Sequence, residues 1–143
     1  MTVTLNHTIV VGRSRVASAT FLTEILGLPQ YKILGPFAVV QVGETSLDFV
    51  ETDDKIMQRH FAFLVSEKEF DEIFSRILDR KLPHWADPFR REPGRINHWD
   101  DGRGVYFDDP NGHLLEIITR PYGSGGTNAK NPNPLLPQLP DRS

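Results

Sequence analysis

The chain has 143 residues, 38% hydrophobic and 24% charged, which is the size and composition of one packed domain rather than a disordered segment. Its formal charge of −3, from 16 basic and 19 acidic side chains, supplies no field for binding nucleic acid or an anionic membrane, so neither partner is expected. The absence of cysteine excludes disulfides, thiolate metal sites and a cysteine nucleophile.

The longest apolar run, Phe61–Val65, falls far short of the ~20 residues a membrane span needs, and Met1–His7 carries no signal-peptide pattern. A cytoplasmic protein is therefore expected. In chain order, a first strand is expected over Val3–Val11, then a helix over about Ser14–Leu26 with Ala17, Phe21 and Ile25 on one face. Gly27 and Pro29 end that helix. Strands over Ala38–Val42 and Ser46–Glu51 precede a short polar linker, Glu51–Arg59.

A strand over His60–Val65 leads into a second helix, Ser66–Arg80, where Phe70, Ile73, Phe74, Ile77 and Leu78 recur with a helical period. Ser66 and Glu69 have the spacing of a capping box, and Pro83 stops the helix. Strands over Gly104–Phe107 and Leu114–Thr119 close the body. From Gly123 onward Gly, Asn and Pro dominate and predict a tail, 123–143, which Leu135, Leu136 and Leu139 could pin to a neighbouring surface.

The elements repeat. Adding 53 to His7 gives His60, and adding it to Ala17, Phe21 and Ile25 gives Phe70, Phe74 and Leu78. Later the offset is 68, matching Leu47-Asp48-Phe49 to Leu115-Glu116-Ile117, which places extra length in Pro83–Asp100. A duplicated unit of strand, helix and three strands fits residues 1–122, with units of about 2–53 and 58–122. The expected fold is α+β: two βαβββ units forming a cupped mixed β-sheet around a metal site.

His7 alternates with Leu5 and Ile9, and Glu116 with Leu114 and Ile118, so each shares a strand face with apolar neighbours expected to be covered. A carboxylate on such a face must be paired, protonated or bound to a cation. His7, His60 and Glu116 supply two imidazoles and one carboxylate, the composition of a facial triad that leaves metal positions open for substrate and oxygen. This donor set suits iron and zinc alike. His113, after the Asp109-Pro-Asn-Gly turn, faces opposite to Glu116 and reads as structural. The stretch Pro83–Asp100 holds Trp85, Phe89, Arg90, Arg91, Arg95, Asn97, His98 and Trp99, a mixture suited to a flat aromatic ligand. Arg91 and Trp99 are candidate substrate contacts, His98 a candidate proton-transfer group, and Arg120 a candidate for an anionic or phenolate group at the rim. Asp100-Asp101 reads as a turn. Gly102-Arg-Gly lacks the lysine and helix of a phosphate loop.

The segments Leu5-Asn-His-Thr-Ile-Val, Ala19-Thr-Phe-Leu-Thr-Glu-Ile-Leu-Gly-Leu, His60-Phe-Ala-Phe-Leu-Val-Ser and Gly104-Val-Tyr-Phe-Asp-Asp-Pro-Asn-Gly-His-Leu-Leu-Glu-Ile resemble the vicinal oxygen chelate superfamily. That superfamily includes glyoxalase I, bleomycin-binding proteins, fosfomycin-modifying enzymes and extradiol dioxygenases. The segments at Trp85-Ala-Asp-Pro, Pro93-Gly-Arg-Ile-Asn-His and Ile117-Ile-Thr-Arg-Pro-Tyr-Gly are similar to oxygenases of the chartreusin-biosynthesis type. The resemblance implies metal ligation by His7, His60 and Glu116, and a substrate-facing role for Tyr106. It also implies an Fe(II)-dependent oxygenase of antibiotic biosynthesis, acting with O2 or peroxide on a polycyclic aromatic polyketide. Its homodimers share metal sites across the interface. An isomerase or fosfomycin-type transferase using Zn, Ni or Mn is the alternative, with Asp48 as a candidate fourth ligand in the isomerase case. An antibiotic-sequestering protein comes third.

Overall fold

The computed structural model describes residues 2–136. They form two units: the chain up to His60 with Asp108–Leu114, and Phe61–Phe107 with the chain from Leu115 on. Leu139 lies outside the described residues.

In the first unit, β1 (His7–Gly12) precedes α1 (Arg15–Leu26), β2 (Lys32–Leu34), β3 (Phe37–Val42) and β4 (Thr45–Glu51). The sheet order is β1-β4-β3-β2. β1 runs parallel to β4, a pairing that requires the long crossover through α1, and the other pairs are antiparallel. The register places Val10 opposite Phe49, and Phe49 opposite Ala38, with Val40 opposite Leu47. These side chains are buried along with Ala19, Leu22 and Ile25 of α1. Ser14 caps α1 by accepting from the Ala17 N–H at 3.1 Å, and Gly27 ends it at φ 69°, a left-handed conformation that suits glycine.

Two details differ from the sequence pattern. The first strand begins at His7 rather than Val3. In α1 the buried stripe is Ser18, Ala19, Leu22, Thr23 and Ile25, whereas Ala17 is exposed and Phe21 half-buried. The stripe conceals polar residues because each is satisfied: Thr23 Oγ1 donates to the Ala19 carbonyl at 2.9 Å, and Ser18 Oγ accepts from Asn111 Nδ2 at 2.8 Å.

The second sheet repeats the first. β5 (His60–Leu64), α2 (Glu67–Asp79), β6 (His84–Trp85), β7 (Gly104–Asp108) and β8 (Leu114–Ile118) follow in sequence, with sheet order β5-β8-β7-β6. The duplication extends to single hydrogen bonds. The Ser46 N–H donates to the Asn6 carbonyl and the Leu114 N–H to the Arg59 carbonyl, both at 2.9 Å, at the offsets of 53 and 68 read from the sequence. The helices instead align through their caps, Ser14 and Ser66, which are one residue closer. The two shortest strands, β2 and β6, complete the three-strand portion of each unit. β2 and β3 are joined by Gly35 and Pro36 alone, whereas residues 86–103 join β6 and β7. The added length thus sits slightly later than Pro83–Asp100.

Helix α2 buries Phe70, Ile73 and Ile77, while Leu78 is 50% exposed. The Arg103 guanidinium lies 4.3 Å over the Phe70 ring and pairs with Glu67 and Asp71. The capping box is complete: the Glu69 N–H donates to Ser66 Oγ and the Ser66 N–H to Glu69 Oε1. Ser66→Ala is expected to cost about 1 kcal/mol in chemical denaturation at pH 7. The Ser66 backbone N–H, and then its side chain, hold the Glu69 carboxyl below its ordinary value of 4.5. A carboxyl depressed on folding stabilises above its unfolded value and loses that contribution as pH falls through the folded one. The stabilising effect of Glu69 over Glu69→Gln should therefore disappear in acid, as the same denaturation series repeated downward in pH would register.

Candidate metal centre

His7 opens β1 and His60 opens β5, the same position in the two repeats. Each ring is held through Nδ1 by a nearby oxygen: Asn6 Oδ1 at 2.7 Å from His7, and the Leu114 carbonyl at 3.0 Å from His60. An amide oxygen only accepts, so the proton of each neutral ring sits on Nδ1, and Nε2 bears the lone pair that can ligate a metal. The Nδ1 contact to a backbone or amide oxygen is the usual orienting bond of a ligating histidine.

The covered face expected around His7 is not formed within one chain: Leu5 is 64% and Ile9 55% exposed. His60, Ala62 and Leu64 on alternate positions of β5 are likewise exposed. Both histidines thus stand on uncovered, partly apolar strand faces.

Glu116 is the opposite case. It is fully buried in β8, between Leu115 and Ile117. Its carboxylate oxygens accept from the Tyr122 hydroxyl at 2.8 and 2.7 Å. The Tyr106 and Tyr122 hydroxyls are 2.5 Å apart. Because the single proton of Tyr122 is directed at the carboxylate, Tyr106 is the donor in that pair. The Trp99 ring meets both tyrosines edge-on, with centroids 6.1 and 6.3 Å away. Burial above all, then the bond to Tyr122 and the charge of Glu116, push the Tyr106 hydroxyl far above its ordinary value. Burial likewise raises Tyr122, with the Tyr106 bond opposing and Glu116 reinforcing. Both hydroxyls therefore stay protonated and able to donate in neutral solution.

Among the described residues, no three His, Asp or Glu side chains are grouped closely enough to hold a metal within one chain. The chemistry of the donor set nevertheless fits a divalent cation: two Nδ1-protonated imidazoles and a carboxylate oriented by a tyrosine. Asp48, on β4 at the repeat position of Glu116, is half-buried and accepts from Ser46 Oγ at 2.8 Å.

The Asp109–His113 turn is structural, as its sequence implied. Asp109 Oδ1 accepts from the N–H groups of Asn111 and His113. Asn111 bridges the Arg13 N–H and Ser18 Oγ. His113 is buried, accepting the Arg59 N–H on Nδ1 at 3.0 Å and donating from Nε2 to the Val11 carbonyl at 2.8 Å. This neutral ring fixes the backbone immediately before His60.

In the 86–103 connection the expected aromatic and cationic groups associate with one another: Arg90 lies 5.2 Å over Trp85 and Arg91 5.3 Å over Phe89. Asp87, which the sequence pattern did not single out, organises the loop by accepting from the N–H groups of Phe89, Arg91 and Glu92. Asn97 is buried and donates to the Ala86 carbonyl at 2.8 Å. His98 is exposed, and its backbone leads into a 3₁₀ turn over Trp99–Asp101. β8 ends at Ile118, so Arg120 does not continue the strand face of Glu116; it is exposed beside Gly102. Of the expected substrate and proton-transfer residues, Trp99 and Tyr106 adjoin the Glu116 network, whereas Arg91 lies over Phe89, and His98 and Arg120 are exposed. Tyr122 is the residue that sequence reasoning missed. Its signal was an aromatic in a Pro-Tyr-Gly turn just beyond a buried strand carboxylate.

Two repeated βαβββ units, with a histidine at equivalent strand starts and a buried glutamate on the strand beside the second, have the vicinal oxygen chelate fold. Residues 4–117 match the glyoxalase/bleomycin resistance protein/dioxygenase superfamily, and the chain belongs to that superfamily. The chain is similar to the solved structure named oxidase ChaP-H2, with 57% identity, a TM-score of 0.85, and coverage of 88% of this chain and 100% of that one. Oxidase ChaP-H1 is 58% identical with a TM-score of 0.83, over 85% of this chain and 99% of that one. Among curated relatives, the metallothiol transferase FosB of Shouchella clausii is 38% identical over 61 residues, 42% of this chain and 37% of that protein. The glutathione transferase FosA of Serratia marcescens is 26% identical over 120 residues, 79% of this chain and 78% of that protein. The chain thus spans little more than a third of the length of the first of these transferases. Superfamily membership and the oxidase neighbours support a metal-dependent enzyme. Among the described residues, no helix is long and apolar enough to cross a membrane.

Proposed function

We propose that this protein is an Fe(II)-dependent oxygenase that oxidatively cleaves or rearranges a polycyclic aromatic, polyketide-type substrate. The observation that carries this reading is the similarity to two structures named oxidases over at least 85% of the chain. In this reading His7, His60 and Glu116 hold the metal. Iron bound there would retain adjacent substrate oxygens and bring O2 or peroxide next to them.

The chain's own residues prepare that site. Asn6 and the Leu114 carbonyl set the two imidazoles with Nε2 outward, and Tyr122 fixes the rotation of the Glu116 carboxylate. Trp99, supported on Tyr106 and Tyr122, offers an aromatic edge for a flat substrate. The uncovered faces around His7 on β1 and His60 on β5 favour a homodimer in which each metal site takes His7 from one chain and His60 and Glu116 from the other.

A second reading is a fosfomycin-type transferase, which the FosA and FosB relatives favour, or a glyoxalase-like isomerase, either using Zn, Ni or Mn. Asp48, which accepts from Ser46 Oγ, would be the fourth ligand of the isomerase. Anaerobic purification with metal analysis separates these readings, followed by oxygen uptake with polycyclic quinones and catechols and thiol addition to fosfomycin. Iron with substrate-dependent oxygen uptake supports the oxygenase; thiol addition without oxygen uptake rejects it. As a further expectation, Trp99→Ala should raise KM for a polycyclic substrate by about tenfold, the loss of roughly 1–1.5 kcal/mol of aromatic contact. Metal content should change little. Unaltered KM in steady-state assays would remove Trp99 from the substrate surface.

A further inference from the structure

The tail is tied to the candidate metal carboxylate. Asp100 and Asp101 stand at φ 57° and 60°, in the left-handed region, which turns both side chains away from the ordinary path of the chain. Asp100 is 3% exposed, and its carboxylate accepts the N–H groups of Gly123 at 3.0 Å and Gly125 at 3.1 Å. Its own N–H donates to the Asn131 carbonyl at 2.7 Å. Asp101 accepts from the N–H groups of Lys130 and Asn131 at 3.1 and 2.9 Å. A Cβ at Gly125 would lie 2.7 Å from Ala129 Cβ and 3.0 Å from Asp100 Cα, so only glycine admits this approach. The clasped segment starts one residue after Tyr122, whose hydroxyl spans both oxygens of Glu116.

We propose that Asp100 and Asp101 clasp residues 123–131 to make Tyr122 a positioning residue, so that the C-terminal segment sets the orientation of Glu116 for its metal. This rests on the reading of Glu116 as a ligand. Five bonds to backbone groups, and a sixth from the Asn131 side chain to Asp101, are more than a passive tail requires. They tie down the backbone that follows Tyr122, whose hydroxyl reaches the buried carboxylate from beyond β8. Without the clasp, the Pro121–Tyr122 turn keeps the Ser124 N–H bond to the Pro121 carbonyl and the contact of the Tyr122 ring with Trp99, and the Tyr122 hydroxyl is less firmly placed against the carboxylate. Loss of such an outer partner typically weakens metal binding about 10–100-fold.

The test is Co(II) titration of the full-length protein, followed by its visible absorption, with thermal unfolding of the metal-free protein alongside. Four variants are compared: Glu116→Ala, Tyr122→Phe, Asp100→Gly and a chain ended after Ser124. Glycine at 100 removes the carboxylate without straining a left-handed position, and phenylalanine at 122 keeps the contacts with Trp99. The expected result is about tenfold weaker Co(II) binding, with an altered absorption band, in Tyr122→Phe, Asp100→Gly and the shortened chain. Tyr122→Phe takes a donor from the buried carboxylate and should lower metal-free stability, but the altered Co(II) band in the protein that remains folded is a change that a merely structural role would not produce. Wild-type affinity and spectrum in Glu116→Ala would overturn the ligand reading itself. Weakened Glu116→Ala with unchanged Tyr122→Phe would overturn the positioning role, and weakened Tyr122→Phe with an unchanged shortened chain would overturn the clasp. If Asp100→Gly or the shortened chain does not fold, Asp101→Gly, at an exposed left-handed position, takes its place and is read in the same way.

Discussion

Alanine at His7, His60 or Glu116 is expected to reduce turnover below about 1% of wild type and to remove most bound metal, because a three-ligand site cannot lose a donor and keep its ion. The folding consequences should differ among the three. His7 and His60 are exposed on their strands, so truncation there leaves the fold nearly unchanged. Glu116 is fully buried and accepts from Tyr122, so its removal opens a void and leaves a buried hydroxyl without its acceptor, at a cost of about 1–3 kcal/mol. Glu116→Gln preserves volume and one acceptor oxygen, and it separates the catalytic loss from the folding loss. Metal analysis, turnover and chemical denaturation of the four variants make the measurement. Wild-type turnover in any one of them would remove that residue from the site.

Mixing His7→Ala protein with Glu116→Ala protein should recover activity from two inactive samples. If each metal takes His7 from one chain and Glu116 from the other, a mixed dimer contains one site with every ligand and one with neither. Random exchange makes about half the dimers mixed, so about a quarter of the sites, and of the wild-type activity, should return. The rise should follow the rate of subunit exchange. No recovery after exchange has been demonstrated by mass, or a monomer in sedimentation at assay concentration, would confine the site to a single chain. The physical ground is the exposure of Leu5, Ile9 and Leu64 beside the two histidines, which leaves unburied apolar surface where the proposed ligands would meet.

What was legible in the sequence was what local chemistry determines. The Ser66–Glu69 spacing specified a capping box, and the box is present. The offsets of 53 and 68 specified equivalent strand positions, and the same backbone bond recurs at both. The register of α1 was misjudged because its inner face includes Ser18 and Thr23, whose hydroxyls are satisfied by partners that no hydrophobic count registers. β2 is exposed at all three residues, so it had no alternation to read. The metal candidates were legible through the repeat, whereas Tyr122 was not, because its role depends on a turn that brings it back onto β8. Asp100 and Asp101 looked like an ordinary acidic turn, since the N–H groups they hold come from a segment more than twenty residues later. The cations and aromatics of the long connection suggested groups awaiting a ligand, yet Arg90 and Arg91 already lie over Trp85 and Phe89.

The connection between β6 and β7 has the properties of an exchangeable cassette. Trp85, just before it, is paired with Tyr106 just after it, so its ends are already held at the spacing of neighbouring strands. Inside, Asp87 and Asn97 satisfy the loop's own backbone, and the corresponding connection in the first unit closes with two residues. For ends fixed in this way, doubling the length of a flexible loop costs only about 0.6 kcal/mol in closure entropy. Loops of different length and composition can therefore be grafted between Trp85 and Gly104 while the strands bearing the ligand candidates keep their register. That makes this segment the economical place to redirect the protein to a differently shaped small molecule.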